Sequence, residues 1–365
     1  MKYYIIAGEA SGDLHASNLI REIRKLDTSA EFRCWGGDLM EKQGAIVVKH
    51  YRDLAFMGFL EVLANLRTIL GNLAYCKKDI LEYAPDAIIL VDYPGFNLRV
   101  AEFAHKRKIP VIYYISPQLW AWKQSRIKTI RSSVDKMIVI LPFEKEYYAR
   151  HGVEVEFSGH PLLDALAEKT VSPVLPENGK RRVALLPGSR QQEIRKVLPI
   201  MLSVTRDFPD IEFAIAGVPT LGEDFYKKIL AGSPVPVIMN RTYDLLKQSA
   251  AALVTSGTAT LETALIGTPE VVCYKGGIIS YLIARQVIKV KYISLVNLIM
   301  DKLIVRELIQ GELTSHNLKD ELKRLLDDTK YRSGMIRGFD DLRHLLGDSG
   351  ASAKAASVIV NFLIR

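Results

Sequence analysis

The chain has 365 residues, too many for one ordinary hydrophobic core, and its 48% apolar and 25% charged content excludes a disordered or fibrous polymer. No apolar run approaches the ~18 residues of a membrane span. Cys34, Cys76 and Cys273 lie far apart in no metal-ligand spacing, as expected in a reducing compartment. The net charge of +8 suits phosphorylated substrates, acidic lipid or nucleic acid. No helix-turn-helix, zinc signature or interleaved aromatic-basic groove supports nucleic acid as the partner.

A strand at 3–7 opens the chain. It runs into Gly8-Glu9-Ala10-Ser11-Gly12-Asp13 and then a helical pattern. A strand, a small-residue turn and a helix aim backbone N–H groups and a positive helix end at the strand's carboxyl edge, which favours an anion. Further strands are predicted at 32–35, 87–91, 111–115, 136–141 and 154–157. Ala87-Ile88-Ile89-Leu90-Val91 is continuously apolar, as a parallel strand covered on both faces requires. Alternation with helices predicts βαβ units and a doubly wound sheet.

Between 58 and 73, Phe59, Val62, Leu63, Leu66, Ile69, Leu70 and Leu73 recur at three- and four-residue steps. Phe56, Met57 and Leu60 widen that face. Such a stripe packs in a core more often than not. The alternative is a lipid surface, to which Arg67, Lys77 and Lys78 would add attraction. The stretch 278–293, with Arg285, Lys289 and Lys291, is a second apolar-basic candidate.

Asp92 directly follows the 87–91 strand, at the edge where open α/β sheets bind ligands. Its carboxylate could take a proton from an attacking hydroxyl, or cap an Asx turn ahead of Pro94. His15 and His160 are alternative bases with no visible partner.

Residues 168–180, with two prolines and no periodic apolar face, read as a linker. They divide the chain into 1–170 and 171–344, with a helix at about 345–365 that could pack back on the first part. In the second part strands are predicted at 182–186, 212–216, 235–239, 251–254 and 270–274. The first ends in Gly188-Ser189-Arg190, whose N–H groups and forked cation suit phosphate, or which forms an ordinary turn. The fourth runs into Ser256-Gly257-Thr258-Ala259-Thr260-Leu261-Glu262, a second anion-friendly turn. Glu262 could accept from ribose hydroxyls or simply complement the helix dipole. There is no G-x-x-x-x-G-K-[ST], no G-x-G-x-x-G after a strand, no HExxH and no Asp-x-Asp pair. Helix ends and cations, with no metal, are expected to neutralise phosphate. The expected fold class is α/β, two Rossmann-like doubly wound parallel sheets facing a cleft.

These blocks, together with Asp92-Tyr93-Pro94-Gly95-Phe96-Asn97, Ser116-Pro117-Gln118-Leu119-Trp120-Ala121-Trp122, Leu141-Pro142-Phe143-Glu144 and Gly159-His160-Pro161, occur in an order that resembles the lipid-A-disaccharide synthases. The resemblance spans nearly the whole chain. It implies a GT-B fold and an inverting, metal-independent glycosyltransferase that needs no cofactor. The substrates would be UDP-2,3-diacylglucosamine and 2,3-diacylglucosamine 1-phosphate, and the products a β-1,6 disaccharide 1-phosphate and UDP. The enzyme would sit peripherally on anionic lipid at the cytoplasmic face of the inner membrane of a Gram-negative bacterium.

Carried over by residue, the resemblance makes Asp92 the general base. Gly188, Ser189, Arg190, Ser256, Gly257, Thr258, Ala259, Thr260, Glu262, Asn297, Glu307 and Gln310 fall in donor segments. Glu9, Ser11, Gly12, Asp13, Ser116, Gln118 and Trp120 fall to the acceptor or cleft, and the 56–70 stripe to acyl chains or membrane. Gly95 replaces a second acidic residue found in many members, which leaves the chemistry on Asp92. Val296 and Arg306 replace prolines. The alternatives are another GT-B enzyme acting on UDP-N-acetylglucosamine, or a non-catalytic nucleotide-sugar or lipid-binding protein. A second copy of the chain is a further candidate partner.

Overall fold

A computed structural model describes residues 1–54, 66–121, 123–167, 179–277 and 291–364. The chain forms two compact units, one from residues 1–167 with 346–365 and one from 168–345.

The first unit is built on β1 (Lys2–Ala7), β2 (Glu31–Gly36), β3 (Ile46–His50), β4 (Ala87–Val91), β5 (Val111–Tyr114), β6 (Lys136–Val139) and β7 (Glu156–Phe157). Their order is β3-β2-β1-β4-β5-β6-β7, parallel throughout. Every residue of β4 is buried, which explains its unbroken apolar run. Tyr4, Ile6, Ile88, Leu90 and Tyr113 pack towards Leu73, Cys76, Ile80, Val100 and Ile130. Those partners come from the helices Leu66–Tyr83, Pro94–Lys106 and Ile127–Ser133. Fully burying each such side chain contributes roughly 1.5–3 kcal/mol. The helices Ala10–Leu26 and Ala351–Leu363 pack against each other in the same unit. Asp164 joins the second of them to the body, accepting from the main-chain N–H of Gly350 (2.5 Å) and Ser352 (2.8 Å).

The second unit holds β8 (Arg181–Leu186), β9 (Ile211–Gly217), β10 (Val237–Met239), β11 (Ala251–Thr255), β12 (Glu270–Tyr274) and β13 (Arg306–Ile309). Their order is β10-β9-β8-β11-β12-β13, again all parallel. Both sheets are therefore doubly wound, as the sequence pattern predicts.

Two strands depart from that prediction: β3 and β13 lie where no strand is expected. Both are edges of their sheets. Residues of β3 are exposed or half-buried throughout, although the strand opens on the apolar run Ile46-Val47-Val48. The predicted strand 111–115 ends one residue early, because Ile115 adopts a left-handed conformation (φ 65°). Cys34, Cys76 and Cys273 are buried and form no disulfide. Among the described residues no helix is long and apolar enough to cross a membrane.

Candidate active site

In the first sheet β1 and β4 are neighbours, and the connections leave them towards opposite ends of the sheet. That switch point opens a crevice at the strands' carboxyl ends. The turns bordering it are Gly8-Glu9 after β1 and Asp92-Tyr93 after β4. They touch: a Cβ on Gly8 would lie 2.3 Å from Cγ of Tyr93, so only glycine fits. Asp92 and Tyr93 are both left-handed, with φ of 44° and 49°. Each such residue costs roughly 1–2 kcal/mol, which surrounding bonds must offset. The main-chain oxygen of Asp92 accepts from Asn97 Nδ2 (2.7 Å) and from the Tyr113 hydroxyl (2.6 Å). Asn97 is wholly buried and also reaches the Val91 carbonyl at 3.3 Å.

The Asp92 carboxyl is thereby fixed without using its own oxygens in these bonds. Burial, then the negative charge of Glu9, push it up to about 7, against a weaker pull from the Tyr93 N–H. Near neutral pH it is a carboxylate with real affinity for a proton, which suits a general base. Its backbone turn is no Asx cap.

Other residues of the first turn divide by role. Ser11 is exposed, and Gly12 is buried, with a Cβ site 3.2 Å from that of Ala7. Asp13 faces inward. Its Oδ1 accepts from the N–H groups of Gly37 (2.8 Å) and Met40 (3.1 Å), and Oδ2 from Leu39 (3.1 Å). It caps the helix Asp38–Lys42 and is not open to an acceptor, since a short carboxylate satisfies the orphan N–H groups there. His15 and His160 are buried, and burial lowers them to about 4 and about 3. They stay neutral and are too weakly basic to serve.

After β5, Ser116 and Trp120 converge on Glu144, a residue that sequence reasoning quotes but assigns no role. Ser116 Oγ lies 2.8 Å from Glu144 Oε1 and 2.9 Å from the Tyr148 hydroxyl. Trp120 Nε1 donates to the same carboxyl (3.3 Å), and Leu141 N–H to its other oxygen (3.0 Å). Burial pushes Glu144 up to about 7, opposed by these donors. Glu144 thus anchors the loop, and only Gln118 of the three predicted residues is exposed. The available signal was a glutamate at the third position of a helix opened by Pro142.

In the second sheet the switch point lies between β8 and β11. The Gly188-Ser189-Arg190 and Ser256–Thr260 turns border it. Gly188 has φ 113°, and a Cβ there would lie 2.8 Å from Glu193 Oε2. Ser189 is exposed, and the exposed Arg190 pairs with Glu193 at 3.1 Å. Gly257 (φ 154°) precedes the helix Thr258–Ile266. Thr258 is exposed, Ala259 half-buried, and Thr260 buried with its hydroxyl on the Gly257 carbonyl (2.9 Å). The first N–H groups of this helix have no intrahelical acceptor and suit phosphate oxygens. Glu262 accepts from the phenol of the half-buried Tyr243.

Asn297 and Glu307 form a closed knot. Asn297 Oδ1 accepts from Ile304 (2.8 Å) and Val305 (3.0 Å) N–H, and its Nδ2 donates to the Val305 carbonyl and to Glu307. Glu307 also takes the N–H of Ile293 and Ser294. Ile293 in turn accepts from Ser256 Oγ (2.9 Å). Through Ile293 these two residues brace the Ser256 turn, with their side-chain oxygens and the Asn297 amide engaged in internal hydrogen bonds. Gln310 differs. It follows β13 directly with φ 51°, and its buried Nε2 has no partner among the described residues. A buried amide in that state is a donor suited to a ligand oxygen.

Of the apolar stripe, Phe56, Met57, Phe59, Leu60 and Leu63 lie outside the described residues, as does most of 278–293. Leu66 opens the helix Leu66–Tyr83, and on that helix Leu70 is 51% and Tyr75 48% exposed. Among the described residues no group of His, Cys, Asp and Glu gathers to hold a metal ion.

Comparison with known proteins accords with this geometry. Lipid-A-disaccharide synthase of Syntrophus aciditrophicus is 41% identical over 98% of this chain and 97% of its own length. The Nitrosococcus oceani enzyme of that name is 39% identical over 98% and 95%. Among solved structures, UDP-GlcNAc 2-epimerase from Neisseria meningitidis bound to UDP-GlcNAc superposes with a TM-score of 0.69 at 14% identity, covering all of both chains. A glycotransferase of kitacinnamycin gives 0.69 at 15% identity, covering 99% of this chain and 98% of its own. At such identities they show the fold, GT-B, and nothing finer. Residues 3–357 match the family described as lipid-A-disaccharide synthetase, and with full-length relatives at this identity the chain belongs to that family.

Proposed function

We propose that the chain forms the lipid A disaccharide by transferring 2,3-diacylglucosamine from its UDP derivative to the 6-hydroxyl of 2,3-diacylglucosamine 1-phosphate, with Asp92 as the base. The observation that carries the assignment is a carboxylate raised to about 7 on a braced, strained turn at the first sheet's switch point. Asp92 takes the hydroxyl proton as that oxygen attacks the anomeric carbon from the side away from UDP. The new C–O bond forms as the old one to the diphosphate breaks, UDP departs with the electron pair, and the configuration inverts.

A placed base is worth typically 10²–10⁴-fold in rate. Charge on the departing diphosphate is met by the 188–190 turn, the N–H groups of 257–259, Arg190 and the Gln310 amide. No metal enters this reading. Asn297, Glu307 and Glu144 contribute by holding loops in place.

The lipid substrates imply a lipid surface. The exposed Leu70 and Tyr75, with Lys77 and Lys78 on the same helix, support docking to an anionic bilayer. Leu70→Glu is expected to lower co-sedimentation with anionic vesicles, and unchanged co-sedimentation would remove that part of the reading. The transfer itself is tested by incubating the protein with both lipid substrates and weighing the product by mass spectrometry. A disaccharide 1-phosphate is expected. Conversion of UDP-N-acetylglucosamine with no such product would favour an epimerase-like activity, and UDP binding without turnover a non-catalytic role.

A further inference from the structure

We propose that the Tyr93 hydroxyl reads the 4-hydroxyl of the acceptor sugar while Asp92 takes the proton of its 6-hydroxyl, an inference that rests on the transfer reaction above. Tyr93 directly follows the base, in the turn that joins β4 to the helix Pro94–Lys106. Consecutive α-carbons lie about 3.8 Å apart, so the two side chains start next to each other at the first sheet's crevice. Tyr93 is half-buried, and among the described residues its hydroxyl makes no hydrogen bond. A phenol in packed surroundings ordinarily has a partner, and here a ligand can supply it.

The ring itself is held firmly. Tyr93 is left-handed (φ 49°), and its carbonyl accepts from the N–H groups of Phe96 (3.2 Å) and Asn97 (3.0 Å). A Cβ on Gly8 would lie 2.3 Å from Cγ of the ring and 2.6 Å from both Cδ1 and Cδ2, so Gly8 sits against the ring's face at its inner end. Phe96 stacks on the same ring, with centroids 5.6 Å apart and planes inclined by 28°. Phe96 in turn meets Trp35 at 5.3 Å. Trp35 Nε1 donates to the Tyr4 hydroxyl (2.9 Å), and that hydroxyl donates to Asp79 (2.7 Å). Phe96, Trp35 and Tyr4 are all buried. The hydroxyl end of Tyr93 is what this column leaves over for a ligand, on a support already in place before binding.

Burial, then the negative charge of Glu9, raise the Tyr93 phenol above its ordinary value. It therefore keeps its proton at the pH where Asp92 is a carboxylate. The turn thus presents a hydrogen-bond donor immediately beside a proton acceptor.

The acceptor's substitution pattern leaves few choices for that donor. The nitrogen on C2 and the oxygen on C3 carry acyl chains, and C1 carries phosphate, so hydroxyls remain on C4 and C6 alone. Both carbons are bonded to C5. A sugar with O6 at the base therefore brings O4 close by, within reach of a donor one residue along, and two contacts orient it better than one. A protein group that hydrogen-bonds a substrate hydroxyl disfavours analogues lacking it, because the group is then left unpaired.

The test uses the full chain with short-chain, water-soluble 2,3-diacylglucosamine 1-phosphate and its 4-deoxy analogue, and compares the parent with Tyr93→Phe. Phenylalanine keeps the stacked ring and removes a hydroxyl that holds nothing among the described residues, so the fold should be unchanged. For the parent, the acceptor KM should rise about threefold to tenfold on the 4-deoxy sugar, the range of one neutral hydrogen bond. Tyr93→Phe should show the same rise on the normal sugar and no further rise on the 4-deoxy sugar. Its kcat should stay within about threefold of the parent, since a contact made equally in ground and transition states moves KM alone. UDP affinity should stay at the parental value. A 4-deoxy penalty as large in Tyr93→Phe as in the parent, or no penalty in either, would overturn the contact. A fall in kcat with the acceptor KM unchanged would put the phenol in the proton transfer and overturn it equally. Equilibrium binding of both sugars separates this contact from the reaction it serves. A 4-hydroxyl-dependent difference that Tyr93→Phe abolishes, with no disaccharide formed by the parent, would keep the contact and refute the transfer reading instead.

Discussion

Replacing Asp92 with asparagine tests the mechanism most directly. Asparagine tolerates the left-handed conformation found here (φ 44°) better than most residues, so the turn should survive. The bonds from Asn97 and Tyr113 go to the main-chain oxygen and are unaffected by the change. What disappears is the proton acceptor. With Asp92 at about 7, about a tenth of it is ionised one pH unit below that value and about nine tenths one unit above. The parent's kcat/KM should therefore climb about tenfold across those two units. Asp92→Asn should lower kcat by about 10²–10⁴, or about 3–5 kcal/mol of barrier, and flatten that acid limb. UDP affinity should be unchanged. The assay is disaccharide formation from pH 5.5 to 9 with the lipid concentrations varied, so that kcat and kcat/KM are read separately. A variant within about threefold of the parent, retaining the limb, would place the base elsewhere and refute the reasoning.

Glu9→Gln removes the charge that helps raise Asp92, so the acid limb should move to lower pH, and a limb that stays or rises would contradict the coupling. Gly8→Ala puts a Cβ 2.3 Å from Tyr93, which must displace the Asp92 turn. Turnover should fall about 10²-fold with UDP binding intact, and undiminished turnover would show that the turn tolerates the shift. Glu270 opens β12 fully buried, with no partner for either carboxyl oxygen among the described residues, and burial raises it well above the ordinary 4.5. The folded state thus keeps a proton that the unfolded state releases. Stability from this group is complete below 4.5 and lost as pH rises, by at most about 1.4 kcal/mol per unit. Glu270→Gln should remove that slope, so melting curves whose variant-to-parent gap ignores pH would count against it.

Sequence periodicity carries the central strands well, and the two strands it misses, β3 and β13, are both at sheet edges. β1, β4, β8 and β11 are buried on both faces, so their apolar runs are unbroken and their carboxyl ends can be located without coordinates. That places Asp92, Gly188 and Ser256 at the sheet edges from pattern alone. What pattern could not supply is the direction of polar side chains. Asp13 follows a glycine-rich turn just as a ligand-binding residue would, yet it caps a helix some 25 residues on, a pairing set by tertiary contact. Asn297 and Glu307 look like donor-site residues but close on each other across ten positions. The hub role of Glu144 depends on a packing of loop against helix that no local spacing encodes.

The capping of Gly350 and Ser352 by Asp164 has a consequence for biosynthesis. The first unit draws its last helix from the far end of the polypeptide, and Ala355, Ala356 and Ile359 are buried there. A ribosome that has completed residue 167 has therefore not yet made everything this unit needs. Until Ala351–Leu363 emerges, the apolar side of Ala10–Leu26 lacks its neighbour and is open to chaperones or to misassociation. The second unit, contiguous in sequence, has no such wait.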